Sequence, residues 1–96
     1  MSQKTRAYEI TIVFSPEEGE EAKKKQEEII KEIGKIGKIT KKESWGEKAL
    51  AYPIKKYHRG YYYFLIVDAE PEKIKKIDQY LKLEEKVLRY LIISQE

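Results

Sequence analysis

Cysteine is absent from this 96-residue sequence, and histidine, tryptophan and methionine each occur once. Without cysteine there is no disulfide framework and no thiolate metal site. The lone His58 leaves zinc catalysis and Ser-His-Asp chemistry short of the groups they need. No apolar run approaches the roughly 18–20 residues of a membrane span. The opening Met1-Ser2-Gln3-Lys4-Thr5-Arg6 lacks the hydrophobic stretch of a secretory signal, which predicts a cytoplasmic protein. Also missing are a glycine-rich phosphate loop, an HExxH pair and a nucleophile elbow. The paired carboxylates Glu17-Glu18 and Glu84-Glu85 fall at helix and turn positions where solvation accounts for them. No enzyme is expected, and no cofactor or metal is implied.

What is present is charge: 39% of the chain, against 41% hydrophobic residues. That balance describes one small globular domain over residues 1–96, with residues 1–5 expected to form a flexible N-terminus. The net charge of +3 is unevenly placed. Residues 1–37 carry seven basic and eight acidic groups, and residues 61–96 carry six and seven. Residues 38–60 hold Lys38, Lys41, Lys42, Lys48, Lys55, Lys56 and Arg59 against Glu43 and Glu47 alone. The whole positive excess therefore lies in one stretch, which suits a local surface for an anionic polymer. A lysine-guarded edge strand is the alternative reading of the same stretch.

Residues 6–14 alternate as a strand, with Tyr8, Ile10, Ile12 and Phe14 on one face and Glu9, Thr11 and Val13 on the other. Ser15-Pro16-Glu17-Glu18 predicts a helix start, with Ser15 as cap and Glu18 closing a capping box. The helix carries Ala22, Ile29, Ile30, Ile33 and Ile36 and ends near Gly34 or Gly37. Residues 38–54 are extended, with a bend or bulge at Gly46, and Pro53 predicts that the strand lies at a sheet edge or ends there. Lys55 to Arg59 are expected to connect to a third strand opened by Gly60, then Pro71 starts a second helix bearing Ile74, Ile77 and Leu81. Val87 to Ser94 form a fourth strand. The order βαββαβ predicts a ferredoxin-like α+β sandwich, a four-stranded antiparallel sheet with two helices on one face.

Such a sheet leaves its other face without helices. The third strand is apolar on both sides, with Tyr61, Tyr63, Leu65 and Val67 alternating with Tyr62, Phe64 and Ile66. One side must therefore meet something other than the helices. Val13, Tyr62, Phe64 and Ile66 are the candidates for a partner-protein surface, with Trp45 either anchoring that partner or filling the bend beside Gly46. Arg59-Gly60-Tyr61-Tyr62-Tyr63 partly resembles the base-stacking strand of RNA-recognition-motif domains. The match fails at the large Tyr62, and in register, since Tyr61 and Tyr63 are expected to point at the helices. Small phosphatases share the fold, but the acidic Ser15-Pro16-Glu17-Glu18 stands where they resemble a glycine-rich anion loop.

A more specific pattern is Trp45-Gly46 followed by Leu50-Ala51-Tyr52-Pro53-Ile54, Lys56 and Gly60-Tyr61. It resembles the family of the bacterial small-subunit ribosomal protein six, as do Arg6, Tyr8 and Glu9 at the start and Glu85, Val87 and Arg89 near the end. The resemblance implies a non-catalytic constituent of the small ribosomal subunit that binds small-subunit rRNA in the central domain, or platform. Its implied partner is small-subunit ribosomal protein eighteen, as a heterodimer. The rRNA-binding residues it implies are Arg6, Tyr8, Lys48, Lys55, Lys56, Arg59 and Arg89, acting on phosphates. Tyr8 could equally pack in the core, and Tyr52, held extended before Pro53, is expected to pack. With three arginines against seventeen lysines, the phosphate contacts would be mostly point charges. Two alternatives remain: a designed scaffold of this fold without RNA function, and a stand-alone single-stranded RNA module stacking bases on Tyr62 and Phe64.

Overall fold

The computed structural model describes residues 5–16 and 19–95. The expected elements form in the expected order: β1 (Arg6–Phe14), α1 (Glu20–Ile36), β2 (Lys38–Ile54), β3 (Tyr57–Ala69), α2 (Pro71–Leu83) and β4 (Val87–Gln95). They build one antiparallel sheet of order β2-β3-β1-β4, the ferredoxin-like arrangement. Alternation along β1 sends Ile10, Ile12 and Phe14 to one side, where they meet Leu65 and Val67 of β3. The helices cover that side. Ile29, Ile30 and Ile33 on α1 and Ile77 and Leu81 on α2 repeat at helical spacing and complete the core. Each such side chain taken fully out of water contributes about 1.5–3 kcal/mol. Tyr8 is buried on this side too.

The structure corrects the start of α1. Ser15 does not cap it: the residue is buried, and its N–H donates to the Lys86 carbonyl at 2.8 Å, tying the end of β1 to the start of β4. Gly19, at φ +109°, turns the chain, and α1 begins at Glu20 without a side-chain cap. The capping-box partner Glu18 lies outside the described residues, as do residues 1–4 of the expected flexible N-terminus.

A second correction concerns the hairpin. Lys55 and Lys56 alone form the turn, both left-handed (φ 49° and 75°), the backbone signature of a type I′ turn. Tyr57, His58 and Arg59 belong to β3, and Gly60 lies inside the strand rather than at its start. Gly60 is buried against β1: a Cβ there would lie 2.5 Å from Val13 Cγ1. The expected irregularity at Gly46 is present, with φ +78° and a register shift between Ser44 and Gly46. A larger one follows, because pairing passes from Ala49–Arg59 straight to Ile54–Tyr57. Leu50, Ala51, Tyr52 and Pro53 thus stand opposite His58 alone, and this part of the outer strand bows away from the ladder.

Candidate partner and nucleic-acid interface

Because the even positions of β1 face the helices, the strand registers lay out the helix-free face in rows. The first row, nearest the hairpin, runs Gly46, Tyr62, Val13, Arg89 across β2, β3, β1 and β4. The next runs Glu43, Phe64, Thr11, Leu91, and the third Lys41, Ile66, Glu9, Ile93. The expected partner surface is thereby brought onto one face, with one difference. Val13 is only 4% exposed and forms the floor of that face. A shallow depression of about 180 Å³ opens beside it, lined by Thr11, Tyr62, Arg89 and Leu91 among others.

Trp45 is 43% exposed and does not fill the bend. The bulge at Gly46 turns its indole over the open face, where it lies flat on Phe64 with centroids 5.3 Å apart and planes 6° from parallel. Its ring N–H donates to Glu43 Oε1 at 2.9 Å. That bond, with Lys41 beside it at 3.2 Å, holds the Glu43 carboxyl below its ordinary range. The Lys48 ammonium sits 5.3 Å from the Trp45 ring centre and 6.0 Å from that of Tyr62, within cation–π reach.

Tyr52 also departs from expectation: it is 56% exposed rather than packed. The bowed Leu50–Pro53 segment carries it from the β2 edge to the far edge strand, where its hydroxyl accepts a 3.0 Å hydrogen bond from Arg89 Nη1. Arg89 is the first open-face residue of β4 with a charge, so this contact gathers it with Lys48 at the hairpin end of the face. Lys55 and Lys56 project from the turn, and His58 is exposed nearby. Arg59 lies beside the turn but shares the phase of Tyr61, on the other side of the sheet, and Glu47 Oε2 lies 2.6 Å from its Nε and offsets much of its charge.

Arg6 and Tyr8 do not join this group. Arg6 pairs with Ala69 at the opposite end of the sheet, about 23 Å from Val13 along β1 at ~3.3 Å per residue. That end is polar in another sense, with Gln95 Nε2 donating to Glu9 Oε2 at 3.1 Å. Leu91 and Ile93, half exposed on the open face, were not among the sequence candidates. The signal was available in the alternation of Val87–Ser94, but only pairing with β1 decides which phase faces outward. Among the described residues no group of three or more His, Asp or Glu could hold a metal ion, and no helix is long and apolar enough to cross a membrane.

Comparison with known proteins gives consistent matches over almost the whole chain. The family model described as "Ribosomal protein S6" matches residues 7–94. A small ribosomal subunit protein bS6 from Ruthia magnifica is 37% identical over 94 residues, covering 95% of this chain and 81% of that protein. The bS6 of Caldanaerobacter subterraneus is 37% identical over 90 residues, covering 92% and 95% respectively. In structure, 30S ribosomal protein S6 from Thermotoga maritima superposes with a TM-score of 0.82 at 22% identity, covering 96% of this chain and 89% of its own.

Proposed function

The chain belongs to the ribosomal protein S6 family, structural proteins of the small ribosomal subunit and not enzymes, and on that premise we propose how it binds. It contacts small-subunit rRNA through the hairpin end of the sheet, using Lys48 and Arg89 on the open face, Lys55 and Lys56 in the turn and, in part, Arg59 on the opposite side of β3. A partner protein, small-subunit ribosomal protein eighteen, covers the apolar rows formed by Trp45, Tyr62, Phe64, Ile66 and their β4 neighbours, in the platform of a cytoplasmic ribosome. The observation that carries this reading is the segregation of the face. Lys48 and Arg89 lie at its hairpin end, Lys41 farther along is paired with Glu43, and the middle rows present exposed Trp45, Leu91 and Ile93 beside half-buried Phe64 and Ile66. Phosphates need the cations of the hairpin end, and a protein surface fits the middle rows. The stacked Trp45 already occupies one face of Phe64, and Lys48 stands over Tyr62, which argues against a free base-stacking platform. Arg6 and Tyr8 are left out of the contact set on position and burial.

The test is a salt series with a central-domain rRNA fragment, with and without the partner protein. Replacing Lys55, Lys56 and Arg89 by glutamine together should flatten the log–log salt slope by about two to three units. Binding should tighten when the partner is added. An unchanged slope would move the RNA contact elsewhere, and a folded, heat-resistant chain that binds neither would return the scaffold reading.

A further inference from the structure

The two edges of the sheet are guarded very differently. On β2, Lys38, Lys41, Lys42 and Lys48, the left-handed Gly46, the bowed Leu50–Pro53 segment and Pro53 itself all obstruct the addition of another strand. On β4 the pairing shifts once, at Leu88 between the Phe14–Val87 and Val13–Arg89 pairs, and from Arg89 onward none of these devices is present. Val87–Gln95 contains neither proline nor glycine, its one charge is Arg89, and among the described strands it pairs only with β1. It is apolar on both faces: Leu91 and Ile93 are half exposed on the open side, while Tyr90 and Ile92 pack against the core on the other. A weakly charged edge that runs without irregularity from Arg89 to Gln95 is a template for another strand.

We propose that this edge pairs with β4 of a second copy of the chain, antiparallel and two-fold symmetric about Leu91, to give a continuous eight-stranded sheet. The occupant follows from the register. Opposed residues in an antiparallel pair share a face, so only pairings whose residue numbers sum to an even value are allowed. A two-fold about Arg89 would set two arginines directly opposite one another, which is repulsive. The two-fold about Leu91 instead centres on the strand. It places Leu91 against Leu91, Arg89 against Ile93 and Tyr90 against Ile92, so no like charges face each other. It also keeps both pairs of helices on one side and extends the Leu91–Ile93 strip without a break. An isologous contact of this kind is closed, so it stops at the dimer. One strand pair is smaller than a standard stable interface, so the association is weak and concentration-dependent. This inference does not depend on the RNA reading.

The experiment is sedimentation equilibrium of the full chain without RNA, from low micromolar to near-millimolar concentration. A monomer–dimer equilibrium is expected. Leu91→Lys puts two lysines face to face and should abolish the dimer, while leaving the melting temperature of this half-exposed position nearly unchanged. Ile93→Glu places a carboxylate opposite the partner copy's Arg89 twice per dimer, and should tighten it several-fold. A chain that stays monomeric throughout overturns the proposal, as does a dimer indifferent to Leu91→Lys or weakened by Ile93→Glu. A dimer lost in Trp45→Lys but kept in Leu91→Lys would be face-to-face packing, which also overturns edge pairing.

Discussion

Replacing Gly60 with alanine probes the packing that sets the course of the hairpin across the sheet. An added Cβ would lie 2.5 Å from Val13 Cγ1, 3.2 Å from the Phe14 carbonyl oxygen and 3.5 Å from Leu50 Cδ2. Carbon atoms pack best at about 3.5–4.0 Å, so the first contact is an overlap of roughly 1 Å. Val13 is 4% exposed and β-branched, and a stiff buried side chain has little room to turn away. Overpacking of this kind costs about 1–3 kcal/mol. Loss of glycine's freedom in the unfolded chain returns about 0.4–1 kcal/mol, since Gly60 has no left-handed backbone to lose. The net expectation is a destabilisation of about 1–2 kcal/mol, or a fall in Tm of about 4–16 °C for a domain of this size. Urea denaturation with an unchanged m value would measure it.

The cause is separable from the cost. Val13→Ala alone removes two buried methyl groups and should cost about 2 kcal/mol. In the double variant the overlap with Cγ1 is gone, so the pair should be at least about 1 kcal/mol more stable than the sum of the single effects. Recovery stays incomplete because the Phe14 carbonyl is still 3.2 Å away. Gly46→Ala is the contrasting control. No atom lies within 4 Å of a Cβ there, but φ is +78°, so its cost of about 1–2 kcal/mol is backbone strain that Val13→Ala cannot relieve. A Gly60→Ala variant within about 0.5 kcal/mol of the parent, or one strictly additive with Val13→Ala, would refute the argument.

Two further perturbations address the turn and the α2–β4 tie. Lys55 and Lys56 hold left-handed backbone that suits Asn-Gly, so Lys55→Asn with Lys56→Gly should raise stability by about 1–2 kcal/mol in thermal melts. The same variant should bind rRNA less tightly, and a gain in both would contradict the role given to the turn lysines. The Tyr90 hydroxyl donates to Asp78 Oδ1 at 2.6 Å, and this bond first, then burial, pushes its pKa up to about 12. A raised folded-state pKa stabilises the protonated form, so its contribution is complete below the unfolded value near 10 and is lost as pH climbs toward 12. Tyr90→Phe should therefore lower Tm at pH 8 and flatten its fall between pH 10 and 12. An identical alkaline profile would remove the hydrogen bond from the account.

Element order, sheet topology and the division of β1 and β3 into two faces were legible in the sequence because periodicity is local and these strands are regular. The errors share a cause. Ser15 has every local mark of a helix cap, yet its N–H is committed to the carbonyl of Lys86, seventy-one residues away. Tyr52 was expected to pack because its neighbour Pro53 fixes an extended backbone. Nothing local reveals that four residues there oppose only one on β3. The same blind spot hid Leu91 and Ile93, whose outward phase is fixed only by pairing with Thr11 and Glu9.

These misreadings fall where the face is assembled, and there is a physical reason for that. A regular β2 would run flat along the sheet edge, keeping Trp45 and Tyr52 in strict alternation and leaving the open face to β3, β1 and β4. The bulge at Gly46 instead lays Trp45 on Phe64, and the bowed Leu50–Pro53 segment carries Tyr52 across to Arg89. The Leu50-Ala51-Tyr52-Pro53-Ile54 run that resembles the family most closely is also the stretch with the poorest strand pairing. Lost ladder bonds cost stability, and the segment makes up only part of it through one side-chain bond to Arg89. Departures of this kind from local preference are typical of binding surfaces, which accords with the binding role proposed for this face. Here that surface joins Lys48 of β2 and Arg89 of β4 beside the turn lysines, which no single regular strand could bring to one end of the sheet.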